Sequence, residues 1–218
     1  MPTLELKRIQ VGHANSYLLA DGKDAVLVDT GMTPWRDKIL GACLNYNVRL
    51  LVLAHGHMDH VQNAAYLARW LQIPIAMHRA DVELLRDNHA QAMNAEVLPG
   101  KAIAAGSLAL CKMGSKMAAI PEFQPGVFLE EGDTLERWGI PAKVVALPGH
   151  TNGSIGLDVL DRHLLAGDAL MNMFYPTVSM LYNDRAEMLE SARKISALGE
   201  RTIWFGHGKP EANRNWVE

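Results

Sequence analysis

Basic runs are missing from this sequence. Its 21 Lys and Arg are outnumbered by 24 Asp and Glu, for a formal net charge of −3. No stripe of cations forms the footprint that nucleic-acid binding needs. The same balance disfavours a polyanionic substrate, unless a bound cation reverses the charge locally. Long apolar runs are missing too: no stretch approaches the roughly 18 uninterrupted apolar residues of a membrane span. Met1-Pro2-Thr3-Leu4-Glu5-Leu6-Lys7-Arg8 brings charge too early for a secretory signal, which leaves a cytoplasmic protein as the expectation. Cysteine is scarce. Cys43 and Cys111 lie in separate apolar segments, outside any redox or metal motif, and are expected as buried thiols. Linkers, repeats and low-complexity tracts are also absent, so residues 1–218, 49% hydrophobic, are read as a single domain.

What is present alternates between strand-like and helix-like pieces. Leu4 to Val11 and Ser16 to Ala20 read as strands, the second ending in the hairpin dipeptide Asp21-Gly22. Ala25 to Val28 is a short apolar run suited to a strand covered on both faces, and it ends in Asp29-Thr30-Gly31. Pro34 opens a helix to about Tyr46, Arg49 to Ala54 is a further strand, and Asp59 to Leu71 repeats apolar residues at helical spacing. Ala142 to Leu147, Ser154 to Leu160, His163 to Ala166 and Thr202 to Phe205 read as strands, with a helix over Arg185 to Leu198. Between the two strand-rich parts, residues 89–123 form an apolar, small-residue insertion carrying Met93, Met113 and Met117, with a helix expected over Ala102 to Met113. A segment so poor in charge must pack, either over a site or on a second copy of the chain.

His55-Gly56-His57-Met58-Asp59-His60 follows the strand Leu50-Leu51-Val52-Leu53 directly, so its side chains gather at a strand's C-terminal end, where α/β folds place ligands. Three imidazoles and a carboxylate in six residues are costly to crowd together unless something pairs with them, and a divalent cation does so. Gly56 clears the turn, letting His55 and His57 face one metal and Asp59 and His60 another. Three later strands end the same way, each at a glycine followed by a ligand-type residue: Gly149-His150, Gly167-Asp168 and Gly206-His207. Seven such residues suit two metal ions with an open position at each. His13, His78, His89 and His163 stand outside the pattern and are expected at the surface or as hydrogen-bonded core residues.

The order His55-x-His57-x-Asp59-His60, His150, Asp168, His207, with Asp29-Thr30-Gly31 and Pro148-Gly149-His150-Thr151 around it, resembles the metallo-β-lactamase superfamily over nearly the whole chain. The resemblance implies an α/β (α+β) four-layer αββα sandwich with the site along one edge of two sheets. It implies His55, His57 and His150 on the first metal, Asp59, His60 and His207 on the second, and Asp168 bridging them. Two divalent ions, with zinc foremost and iron or manganese also accepted by such ligands, would lower the pKa of a shared water from 15.7 toward about 7 and polarise a carbonyl. Asp59 is then the candidate catalytic carboxylate that orients the nucleophile and passes a proton to the leaving group. Asp29 is a candidate partner for a ligand histidine or a cap for the helix that follows.

Within the superfamily, Asp168 argues against the β-lactamase branch, which generally lacks it. His57 argues against the flavoprotein branch, which carries Glu there. Nucleic-acid-processing members usually add a basic arm. The metal motifs are most like those of hydroxyacylglutathione hydrolase (glyoxalase II), although only eleven residues follow His207 where that enzyme has a helical glutathione-binding domain. Met171-Asn172-Met173-Phe174-Tyr175 and the Met-rich insertion offer an apolar wall suited to acyl chains, lactones or thioesters, with Tyr175 as a candidate hydrogen-bond donor to a small-molecule substrate. The expectation is therefore a metal-dependent hydrolase of a small ester, thioester or lactone. The alternative is a persulfide dioxygenase-like oxidoreductase with a single iron.

Overall fold

In a computed structural model, residues 4–112 and 119–217 are described. The chain opens with a sheet of six strands in sequence order. β1 (Glu5–Val11), β2 (Ala14–Asp21) and β3 (Asp24–Val28) run antiparallel, and β4 (Asn47–Val52), β5 (Ile75–Met77) and β6 (Val127–Phe128) continue parallel to β3. In the second half β7 (Ala142–Ala146), β8 (Ile155–Val159) and β9 (His163–Gly167) pair antiparallel. A two-stranded ribbon of β10 (Leu170–Met171) and β11 (Thr177–Val178) follows. β12 (Thr202–Phe205) then lies parallel to β9, with β13 (Glu211–Ala212) antiparallel at the edge. Among the described residues the α-helices are α1 (Arg36–Cys43), α2 (Met58–Val61), α3 (Ala64–Leu71), α4 (Leu98–Lys112) and α5 (Arg185–Ala197).

The period of two along each strand sorts side chains to opposite faces and so builds the layers. Leu18, Leu27 and Leu51 point from the first sheet toward Ile39 of α1 and Leu67 of α3. Their neighbours Leu19, Val26, Val28, Leu50 and Val52 point the other way, onto Val144, Ile155, Leu157 and Leu165 of the second sheet. On that sheet's far face Val145, Leu164, Ile203 and Phe205 meet Ala192 and Ile195 of α5. Three apolar seams separate four layers, the αββα sandwich. Burying each such Leu, Ile or Val stabilises by roughly 1.5–3 kcal/mol before conformational entropy is charged. Among the described residues, no helix is long and apolar enough to cross a membrane.

Three local departures from the sequence reading have physical causes. The helix expected over Asp59 to Leu71 is broken in two, because the Asn63 amide donates to the carbonyls of Thr30 (2.8 Å), Gly31 and Met32 (2.7 Å) and draws the backbone out of the helix there. α4 starts at Leu98, four residues before the expected Ala102, since Pro99 sits in the first turn, where its missing N–H costs nothing. β5, β6, β10, β11 and β13 are two or three residues long, too short to show a period of two. Cys43 is buried and free. The expectation for Cys111, like those for Met113 and Met117, falls outside the side chains described.

Candidate metal centre

β3 and β4 are parallel in one sheet, and β9 and β12 are parallel in the other, so the turns at their C-terminal ends share one edge of the sandwich. Backbone bonds close that edge: Ile155 N–H donates to Ala54 C=O and Asn15 N–H to Gly206 C=O, both at 2.8 Å. His55, His57, Asp59 and His60 come from the turn after β4 and from α2. His150, Asp168 and His207 come from the ends of β7, β9 and β12. All seven meet in one cluster, and all but Asp59 are buried.

Two groups are distinct within it. His55, His57 and His150 bring ring nitrogens within 4.8 Å of one another, and a carboxylate oxygen of Asp59 meets ring nitrogens of His60 and His207 within the same distance. Asp168 lies between them, its Oδ2 3.7 Å from His150 Nε2 and 3.1 Å from His207 Nε2. Its Oδ1 is 3.6 Å from His60 Nε2. Gly206 allows this crowding: a Cβ there would collide with Asp168 Oδ1 and stand 2.9 Å from His60 Cε1.

The rings are oriented from behind. His60 Nδ1 lies 2.9 Å from Asp29 Oδ2, His150 Nδ1 donates to Leu181 C=O at 2.8 Å, and His207 Nδ1 donates to His13 C=O at 2.9 Å. With Nδ1 committed, Nε2 faces the cluster in each case. Asp29 is itself held in the left-handed region (φ 57°), and its Oδ1 accepts from Ala54 N–H at 2.8 Å. It caps no helix, because Met32 occupies the position before the short helix at Thr33.

Electrostatics divide the two groups. Burial, reinforced by the neighbouring imidazoles, pushes His55 well below its ordinary pKa and His57 down to about 3, and His150 is lowered chiefly by burial as well. These three are neutral, with lone pairs available. Burial would also lower His60 and His207, but Asp168 and Asp59 outweigh it. His60 rises to about 9 and His207 well above its usual value. Burial pushes Asp168 up, yet His207 and His60 hold it down at about 2. Asp59 is likewise held low against burial by His60 and His207.

A cation fits this donor set. Both ring nitrogens of His55 and Oδ1 of Asp168 are buried and, among the described residues, find no hydrogen-bond partner, a cost of about 1–3 kcal/mol per group that a coordinated ion removes. The ligand types, imidazole and carboxylate, suit zinc, iron or manganese.

The site opens into a cavity of about 280 Å³, bounded by His57, Asp59, His150 and His207 on one side and by Met32, Met93, Ile103, Met171, Met173 and Leu181 elsewhere. α4 contributes Ala102, Ile103, Gly106 and Ser107 to the wall. Tyr175 is not among the described residues that line this cavity, a correction to its expected place. The β10–β11 ribbon turns its tip to solvent, leaving Tyr175 48% and Phe174 62% exposed. His13 offers only its carbonyl, His78 accepts from Ala80 N–H, and His163 accepts from Trp204 Nε1; with His89, all four rings stay outside the cluster. Sequence reading missed Asn15, Asp81 and Ser179, which bond to the site's turns. Asp81 lies in Arg79-Ala80-Asp81-Val82-Glu83, which reads as an ordinary helical surface.

Comparisons with known proteins agree with this fold. The family profile described as the Metallo-beta-lactamase superfamily matches residues 9–207. An uncharacterized protein of Aquifex aeolicus is 32% identical over 195 residues, covering 87% of this chain and 82% of its own. Hydroxyacylglutathione hydrolase GloC of Haemophilus influenzae is 28% identical, covering 88% and 84%. Among solved structures, the protein TTHA1623, determined in a di-iron-bound form, superposes with a TM-score of 0.72 at 23% identity over 97% of this chain and all of that one. The chain belongs to the metallo-beta-lactamase superfamily.

Proposed function

We propose that the protein is a metal-dependent hydrolase that holds two divalent ions, zinc first among the candidates, and cleaves a small ester, thioester or lactone. The observation that carries this reading is the cluster itself: seven ligand-type side chains in two groups, with Asp168 between them. His55, His57 and His150 would hold one ion, Asp59, His60 and His207 the other. Such a pair supplies a Lewis acid and a water acidic enough to lose its proton near neutral pH.

The chain's own residues do the rest. Asp59 is about a third exposed (35%) with its carboxylate at the cavity and Oδ2 3.3 Å from His207 Nε2. It is placed to hold a proton and deliver it to a departing alkoxide or thiolate. Met93, Ile103, Met171 and Met173 give an adaptable apolar wall that excludes water and seats an acyl chain. The relatedness to a hydroxyacylglutathione hydrolase supports thioesters within this class.

A second reading has one observation in its favour. His55, His60 and Asp168 also converge within 4.8 Å, the two-histidine, one-carboxylate set of single-iron oxygenases. Elemental analysis of protein purified without chelator, paired with a panel of thioesters, lactones, phosphoesters and β-lactams, separates the two. Two ions per chain with ester or thioester cleavage is the expected result. A single iron per fully loaded chain, with no hydrolysis, would overturn the hydrolase reading.

A further inference from the structure

The most heavily bonded buried carboxylate outside the cluster is Asp81, in the short helix after β5. It is fully buried, and three of the four donors around it come from two turns that are far apart in sequence. Oδ2 accepts from Gly56 N–H at 2.8 Å and from Thr151 Oγ1 at 2.7 Å. Oδ1 accepts from Gly153 N–H at 2.7 Å and from Gln91 Nε2 at 3.3 Å. Gly56 sits between His55 and His57, and Thr151 follows His150. One carboxylate thus joins the turn bearing two histidines of the first group to the turn bearing the third. Gly153 is fitted to it as well: a Cβ there would stand 2.7 Å from Asp81 Oδ1.

Among the described residues, no single carboxylate joins the turns of Asp59, His60 and His207 in this way. His60 is oriented by Asp29 and His207 by the carbonyl of His13.

We propose that Asp81 is the positioning residue of the three-histidine group, setting the spacing of His55, His57 and His150 for a divalent cation while leaving the other group untouched. The inference rests on the metal-site reading above but not on the reaction assigned to it. Each carboxylate oxygen faces a backbone N–H, Oδ2 that of Gly56 and Oδ1 that of Gly153. A carboxamide in its place must turn an NH2 toward at least one of the four donors, whichever way it is flipped. The misfit would fall on the backbone of Gly56 or Gly153, beside the ligands, and outlying hydrogen bonds of this kind govern metal affinity by roughly 10–100-fold.

The test uses the full chain and zinc alone. Wild type and Asp81→Asn are stripped, reloaded and titrated against a chromophoric chelator, and crystals equilibrated at limiting zinc are measured by anomalous diffraction. The expected result is a drop of roughly 10–100-fold in affinity for one ion, with occupancy lost beside His55, His57 and His150 and kept beside Asp59, His60 and His207. An equal loss at both positions would mean general destabilisation and overturn the proposal. So would no loss, or a loss at the second group. If Asp81→Asn does not fold, Thr151→Val removes one of the four donors at constant shape, and the same position must again weaken, by a smaller factor. Neither measurement reads hydrolysis. Zinc-loaded wild type that cleaves nothing would sink the hydrolase reading and leave this one standing, whereas unchanged zinc binding in both variants would sink this one alone.

Discussion

At the scale of single residues, the chemistry turns on which groups are charged before any ion arrives. Asp59 borders the cavity and is held ionised by His60 and His207 against the push of burial, so its carboxylate accepts a proton only when a reaction delivers one. Replacing it by Asn is expected to lower kcat by about 10²–10⁴-fold, the range of general acid–base catalysis, in protein shown to carry full metal. A loss of rate that merely tracks a loss of metal would reduce Asp59 to a ligand. Asp29→Ala strips the buried Ala54 N–H and His60 Nδ1 of their acceptor and should cost about 1–3 kcal/mol of stability, read by denaturant unfolding of the metal-free protein. Cys43 illustrates the opposite sign. Burial pushes its thiol up to about 12, so the thiolate that reacts is scarce at pH 8. In a Cys111→Ser background the native protein should resist a thiol reagent at that pH and yield one thiol per chain once unfolded.

At the scale of elements, the strands that carry the site were legible and the short pieces around it were not. β3, β7, β9 and β12 announce themselves as apolar runs that stop at a glycine or at Asp29, and β4 runs directly into the cluster His55 to His60, which names its own position. The strength of that signal is chemical: imidazoles and carboxylates packed at strand ends have no cheap structural use. Asp81 left no such trace, because its role depends on two turns that only the folded chain brings together. Tyr175 misled for a related reason. Seven residues beyond Asp168 is close in sequence, but the β10–β11 ribbon carries the side chain away from the cavity.

α4 offers the clearest test at this scale. Ile103 lines the cavity from the helix, so Ile103→Asp should reduce kcat/KM for long acyl chains more than for short ones, with metal content unchanged. Equal effects across chain lengths would place α4 outside substrate selection. Gly206→Ala should act differently, displacing Asp168 and His60 and lowering metal content along with activity.

For the whole molecule, the two ligand groups draw on both sheets, and ion binding is therefore coupled to the packing of the sandwich. Removing metal with a chelator is expected to lower Tm, because a ligand that binds only the folded state stabilises it by about 2.7 kcal/mol at a hundredfold excess over Kd. An unchanged Tm in calorimetry would mean that the ion binds the folded chain no more tightly than the unfolded one. The span of the cluster along the chain has a kinetic consequence. His57 meets His150 across 93 positions, and His60 meets His207 across 147. Coordination there closes loops as long as those of a distant disulfide, yet each ligand group takes residues from both sheets, His150 or His207 from one and the turn and short helix after β4 from the other, so the groups are complete only once the sheets have docked. The ion thus acts as a latch fastened on a finished frame: it should leave the rate of refolding nearly unchanged and appear almost wholly as slower unfolding.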